Sequence, residues 1–328
     1  MGVGNEPDLT GARIAVLGAS GFLGRAVVRA VLAAGAEVAG LDRGAVPPLQ
    51  HPRYSHHTAR VEAEAAVAAV GTGADSAVLL APASLPAMGN ADLAAEVSGH
   101  LAGTIRAAET LLARGCARLV YASSGGAIYG GGSAGLLRED APTRPRNAYG
   151  ATKLAAEHYL RLLGALRGAA PLSLRISNAF GPGQRADRGQ GFVAKAMHAA
   201  LTGTPMTIWG DGSVVRDFVA VGDVARAVAA ALARPGVTGE INIGSGTGRR
   251  IVDVASAVGR AAGRPVPLTF TEARAIDAPA NILDISRAAE LLDWRPEAGF
   301  ADALAETADW WRGELSRPAA ASGTGAGT

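Results

Sequence analysis

Arg13-Ile14-Ala15-Val16-Leu17-Gly18-Ala19-Ser20-Gly21-Phe22-Leu23-Gly24 is a short apolar run closed by a glycine turn, and helical periodicity follows it over residues 25–35. That order is strand, turn, helix. Gly18 and Gly21 would let the backbone turn tightly and come close to a pyrophosphate, while Gly24 would let helix pack on strand. The helix N-terminus then faces the phosphate charge, and Ser20, Phe22 and Leu23 between the glycines belong to the same expected contact. A second strand is expected at 37–41. Asp42 stands at its end, 24 residues past Gly18, near the spacing at which a carboxylate accepts the adenosine ribose hydroxyls. This favours NAD. Arg43 next to it suits a 2′-phosphate, so NADP is the alternative.

Outward from this unit the pattern continues. Residues 44–58, with His51, His56 and His57, read as an irregular, solvated loop without a metal site. A helix is expected at 62–70, a strand at 76–80, one long alanine-rich helix at 91–113, a strand at 118–123, a helix at 147–167 and a strand at 172–176. Alternating strands and helices argue an α/β fold, a doubly wound parallel sheet of the Rossmann type with ligands at the carboxyl ends of its strands. Beyond Ser177 the segments shorten. Helices are expected at about 191–201, 221–233, 249–262, 286–292 and 300–312, strands at 206–209 and 241–243, and a turn at Gly210-Asp211-Gly212. The expected division is a nucleotide-binding domain over 11–178 plus about 217–245, a smaller α/β domain over about 179–216 and 246–315, and a disordered tail over 316–328.

Composition narrows the classes. The 328 residues are 48% hydrophobic and 18% charged, and the formal charge of +2 gives no electrostatic case for nucleic acid. No stretch is apolar enough to span a bilayer, and the first ten residues do not read as a secretory signal. Cys116 is the single cysteine. It excludes an intrachain disulfide, fits a reducing compartment, and makes the cytoplasm the expected location.

Asn147-Ala148-Tyr149-Gly150-Ala151-Thr152-Lys153 places a phenol and an ammonium four residues apart at the start of a helix, on one face. A cation there is expected to pull the phenol below its ordinary pKa, giving a tyrosine able to take a proton from an alcohol near neutral pH. Of 31 basic residues only Lys153 and Lys195 are lysines. An ammonium is the better point charge to aim at a phenol and a ribose hydroxyl.

With the glycine turn, Asp42, the strand end Ser123-Ser124-Gly125-Gly126 and Tyr149-x-x-x-Lys153 placed, the chain resembles the extended short-chain dehydrogenase/reductases, specifically the NAD-dependent epimerase/dehydratase family acting on nucleotide sugars. Later motifs carry the same resemblance: Ala179-Phe180-Gly181-Pro182-Gly183, Trp209-Gly210-Asp211-Gly212 with Arg216-Asp217-Phe218-Val219, Gly222-Asp223-Val224-Ala225, Asn242-Ile243-Gly244 and Trp294-Arg295-Pro296. It implies that Tyr149 and Lys153 are catalytic, that Leu80 and Ala81 lie at the nicotinamide edge, and that Asn178, Arg216 and Arg274 grip the substrate diphosphate. Four positions depart from the family pattern. Gly125 stands where a catalytic Ser or Thr is usual, so the hydroxyl must come from Ser124, or from a water; Ser123 lies farther back. Leu79-Leu80-Ala81-Pro82 replaces His-Leu-Ala-Ala, His100 takes an asparagine's place, and Thr58 replaces an acid. The implied activity is a nucleotide-sugar 4-epimerase working through a transient 4-keto sugar. Alternatives are an NAD(P)H-dependent ketoreductase of a nucleotide-linked 4-keto-6-deoxysugar and a non-catalytic cofactor-binding protein. A 4,6-dehydratase is disfavoured, since Gly125-Gly126-Ala127 carries no carboxylate. The helices at 91–113 and 147–167 are expected to join two copies as a homodimer through small alanine-rich faces.

Overall fold

The computed structural model describes residues 6–45, 47, 49–81, 90, 92–131, 135–186, 191–274 and 278–317. In chain order the first part holds β1 (Arg13–Leu17), α1 (Phe22–Ala33), β2 (Glu37–Asp42), β3 (Tyr54–Thr58), α2 (Glu64–Gly71) and β4 (Ser76–Leu79). It continues with α3 (Leu93–Ala95), a π-helical turn (Glu96–Leu101), α4 (Ala102–Ala113), β5 (Arg118–Ser124), α5 (Ala148–Arg167) and β6 (Ala170–Ile176). The second part holds β7 (Asn178–Phe180), α6 (Phe192–Thr202), β8 (Met206–Trp209), β9 (Val215–Ala220), α7 (Val221–Leu232) and β10 (Gly239–Ile243). It ends with β11 (Gly248–Arg250), α8 (Ile251–Ala262), β12 (Leu268–Thr271), β13 (Ala280–Asn281), α9 (Ser286–Leu292) and α10 (Phe300–Leu315).

Seven strands make one parallel sheet in the order β10-β6-β5-β4-β1-β2-β3. β1 and β4 sit at its centre with both faces covered, so Ile14 to Leu17 and Ser76 to Leu79 are buried without alternation. Burying each such aliphatic side chain is worth about 2 kcal/mol. One face is covered by α1, α7 and α9, with Val27, Val31, Val224 and Val228 in its core. The other lies under α2, α4 and α5, through Val67, Leu111 and Leu160. Gly24 sits where α1 crosses the turn: a Cβ there would run into the Gly18 carbonyl oxygen.

A smaller lobe is built on β9, which pairs with β7 and β13 in parallel and β11 antiparallel, and on the parallel pair β8 and β12. Its core joins α6, α8 and α10 through Met197, Val258, Leu304 and Trp311, with Trp310 packed against it. Trp294 ties this lobe back: its indole N–H donates to the Asp223 carbonyl of α7 at 3.0 Å. Among the described residues no helix is long and apolar enough to cross a membrane.

Several expectations are corrected. Residues 54–58 form strand β3 rather than a loop, because an edge strand of this sheet needs no apolar run; its residues are half-buried or exposed and none is buried. His56 is a brace, bonded through its two ring nitrogens to the Tyr54 hydroxyl at 2.9 Å and the Gly44 carbonyl at 2.8 Å. The long helix expected at 91–113 is split by the π turn; Ala91, like Pro82 and residues 318–328 of the expected tail, lies outside the described residues. The short strands β7, β11, β12 and β13 carry too few residues for a periodic signal.

Candidate active site

The glycine turn lies at the carboxyl end of β1. Gly18 has φ +93° and its N–H donates to the Leu41 carbonyl at 2.7 Å, which ties the turn to β2. α1 begins at Gly21 with no side-chain cap and no acidic residue in its first turn, so the helix N-terminus is open to an anion. Asp42 reaches back to this turn: its carboxylate accepts the Ser20 N–H at 3.2 Å and the Gly44 N–H at 2.9 Å. Arg43 is exposed beside it. Leu80 and Ala81 close the opposite side, each Cβ 3.2 Å from where a Gly18 Cβ would stand. Ser20, Phe22 and Leu23 occupy the turn and the first residues of α1. Side-chain-free backbone, an uncapped helix start and a ribose-facing carboxylate fit a dinucleotide.

α5 starts where Asn147 caps it, Oδ1 accepting the Gly150 N–H at 2.7 Å. Tyr149 lies in its first turn, with the Ser124 hydroxyl at the end of β5 near enough to act on its phenol. The chain turns immediately after Ser124, with the Gly125 N–H bonded to the Ile176 carbonyl and the Ala127 and Ile128 N–H groups returning to the Ser124 carbonyl. That turn frees Ser124 from the alternation of the strand and aims it at Tyr149. Ser123 faces away, its hydroxyl donating to buried Glu157. The absence of a hydroxyl at 125 has a steric reason, since a Cβ on Gly125 would stand 2.6 Å from Leu283 Cδ1.

Lys153, one turn along, is 5% exposed. Its Nζ donates to the Ala122 carbonyl at 2.8 Å and lies 4.7 Å from the Tyr121 ring centroid and 5.8 Å from that of Tyr149. Burial pulls it down to about 8, while Glu157 and Glu96 oppose the fall. The expected depression of the phenol is corrected. Although Tyr149 still opens partly to the cleft, burial pushes it above its ordinary value; the Ser124 bond works the other way, and the charge of Glu96 adds to the rise. The ammonium is committed to the Ala122 carbonyl.

Asn178, Arg216 and Arg274 line one cavity of about 990 Å³ between β8, β9 and α6. Asn178 Nδ2 donates to the Asp217 carbonyl at 2.8 Å, leaving its oxygen toward Gly126. Arg216 is anchored on the Ala278 carbonyl at 2.8 Å, and the Arg274 guanidinium stacks 3.9 Å over the Trp209 ring. Gly126 lies between the cavity and the Ser124 hydroxyl: a Cβ there would lie 4.0 Å from both Ser124 Oγ and Asn178 Oδ1. The sequence reading gave Gly126 no part, nor Glu96, which is buried on the π turn. Its signal was the i, i+4 pair with His100, which on a regular helix reads as a solvated pair.

Comparison with known proteins bears on this arrangement. The family model described as the NAD dependent epimerase/dehydratase family matches residues 14–244. The UDP-glucose 4-epimerase of Mycolicibacterium smegmatis is 32% identical over 316 residues, covering 92% of this chain and 98% of that protein. Among solved structures, the UDP-glucose 4-epimerase of Thermotoga maritima with UDP-glucose superposes with a TM-score of 0.86 at 26% identity, over 92% of this chain and 99% of the other. The UDP-glucose 4-epimerase of Thermus thermophilus in complex with NAD gives 0.83 at 32% identity, over 92% and 99%.

Proposed function

The chain belongs to the NAD-dependent epimerase/dehydratase family, and from that premise we propose that it is a nucleotide-sugar 4-epimerase using bound NAD. NAD, when bound, accepts a hydride and returns it to the other face of the transient 4-keto sugar. Gly18, Gly21 and Gly24 with the start of α1 would hold its pyrophosphate, and Asp42 its adenosine ribose. The Asp42 carboxylate, fixed by the Ser20 and Gly44 N–H groups, disfavours a 2′-phosphate by like charge, which supports NAD over NADP.

Tyr149 is the group proposed to take the proton of the sugar hydroxyl and give it back; because burial raises its phenol here, the positive charge that NAD would bring to the site has to join that of Lys153 in lowering it. Ser124, whose hydroxyl also favours the ionised phenol, is its proposed partner. Asn178, Arg216 and Arg274 clamp the diphosphate in the cavity, so the linked sugar extends past Gly126 toward Tyr149. The observation that carries the reading is that the end of β5, with Ser124, meets the start of α5, where Tyr149 and buried Lys153 lie and the Lys153 Nζ donates to the Ala122 carbonyl of the same strand. We divide the chain into the nucleotide-binding domain over 11–178 plus about 217–245 and the substrate domain over about 179–216 and 246–315, with β9 running across that boundary and α9 packed back on the large sheet. We place the enzyme in the cytoplasm, where Cys116 stays reduced, as a homodimer joined along α5 and the π turn.

The test is to supply UDP-glucose with NAD first in trace and then in equal amount. UDP-galactose should form at a rate independent of net NADH, and Tyr149→Phe should lower turnover by at least about 10²-fold. Failure of the wild-type protein to turn over any nucleotide sugar rejects the proposal; consumption of NADH with a nucleotide-linked 4-keto-6-deoxysugar replaces it with the reductase.

A further inference from the structure

We propose that His56 is a positioning residue that sets the preference for NAD over NADP: with Tyr54 it holds the turn after β2 so that the Asp42 carboxylate faces the adenosine ribose. It rests on the epimerase reading only for the seat of that ribose.

β3 is the outer strand of the large sheet and pairs with β2, with Gly40 opposite His56 and Asp42 opposite Thr58. Tyr54 and His56 stand two positions apart, so their side chains share one face of the strand, and the ring centroids are 6.1 Å apart. Gly40 makes room for them. A Cβ there would stand 2.3 Å from the Tyr54 hydroxyl oxygen and 2.8 Å from Ala19 Cβ, which puts the phenol next to the glycine turn.

The hydrogen bonds run in one direction. The Gly44 carbonyl can only accept, so His56 Nε2, 2.8 Å away, carries a proton and donates it. In the neutral imidazole Nδ1 is then the acceptor, and the Tyr54 hydroxyl at 2.9 Å donates to it. Burial, with the charge of Asp42 adding and that of Arg25 opposing, pushes this phenol up to about 12, so the hydroxyl keeps its proton. From Gly44 the path continues toward the cofactor. The Gly44 N–H donates to Asp42 Oδ1 at 2.9 Å, and Asp42 Oδ2 accepts the Ser20 N–H at 3.2 Å. Tyr54, His56, Gly44, Asp42 and Ser20 thus form one line from the edge strand to the glycine turn.

Two neighbouring side chains on this turn suit opposite ligands. Asp42 accepts the hydroxyls of an unmodified ribose, whereas exposed Arg43 is the group that would pair with a 2′-phosphate. Holding Gly44 keeps the carboxylate forward. Releasing it lets the carboxylate fall back and the guanidinium approach, so His56 acts on the ratio of two affinities rather than on nucleotide binding in general.

The test is calorimetric titration of the full chain, stripped of bound nucleotide, with NAD and separately with NADP. The wild type should prefer NAD. In His56→Phe, which keeps a ring but loses both nitrogen contacts, NAD should bind about tenfold more weakly while NADP holds or gains, so the preference falls by roughly tenfold or more. His56→Gln, whose amide nitrogen reaches the place of Nε2, should restore most of it. A merely structural defect would weaken both nucleotides alike; an equal loss on both, or an unchanged ratio, overturns the proposal. Should His56→Phe not fold, Tyr54→Phe removes one oxygen from the same line and should lower the ratio about threefold, and a ratio that stays in place there overturns it equally. Binding needs no turnover, so a protein that takes NAD but epimerises no nucleotide sugar would reject the epimerase reading and leave the result on His56 standing.

Discussion

Lys153 holds its charge at a cost. Burial lowers it from the ordinary 10.5 to about 8, so between those values the unfolded chain binds a proton that the folded protein does not. Stability therefore rises with pH through that window, and below about 8 the buried charge costs up to about 3 kcal/mol. Lys153→Met should raise the urea midpoint of the cofactor-free protein at neutral pH while lowering turnover by at least about 10²-fold. Its stability advantage should shrink as pH climbs from about 8 toward 10.5. A midpoint at neutral pH that does not rise would show that the hydrogen bond to Ala122 outweighs desolvation. Both residues of the pair were legible in the sequence as Tyr-x-x-x-Lys, because an i, i+4 spacing on a helix survives any tertiary context. The direction of the Tyr149 shift was not, because it depends mainly on burial, which only the packing of separate elements decides.

At the scale of elements, α5 serves two faces. Inward it carries Tyr149, Lys153 and Glu157; outward it shows Tyr159, Leu162 and Leu166, 46%, 52% and 68% exposed, at i, i+3 and i+7. That spacing is one stripe on a helix. If the proposed dimer forms along α5, this stripe, with exposed Leu93 and Val97, is the surface it would bury. Burying one such leucine contributes about 2 kcal/mol, and a symmetric contact buries it twice. Leu162→Glu should weaken the dimer by more than about a hundredfold and yield monomers in sedimentation velocity. A wild-type monomer, or a variant dimer of undiminished strength, would remove the contact. The strands of the central sheet were legible because each is an apolar run bounded by turns. β3 and the π turn were not: an edge strand needs little apolar content, and an inserted residue leaves the periodicity of an alanine-rich segment almost unchanged.

For the whole molecule, Asp217 joins the two lobes. It is fully buried on β9, and its carboxylate accepts the Ser245 N–H and hydroxyl, each at 2.7 Å, the Gly246 N–H at 3.2 Å and the Leu283 N–H at 3.3 Å. Those donors lie past β10 of the large sheet and in the segment packed over Gly125, so one side chain fixes the substrate lobe against the catalytic strand end. Asp217→Ala would leave the buried Leu283 N–H and the half-buried Ser245 and Gly246 N–H groups without this partner and should cost about 2 kcal/mol or more. In urea it should lower the midpoint and broaden the transition as the lobes uncouple; an unchanged midpoint would mean that water or neighbouring groups satisfy those donors. The sequence by itself determined the doubly wound sheet, the glycine turn with Asp42 and the Tyr149–Lys153 helix face, because each is written in local spacing along one or two elements. Only the tertiary structure decided that the chain turns at Gly125 so that Ser124 and Ser123 part, that Asn178, Arg216 and Arg274 share one cavity, and that Glu96 is buried on the π turn. Those facts depend on where separate strand ends and turns converge, and burial and charge act through space without regard to chain distance.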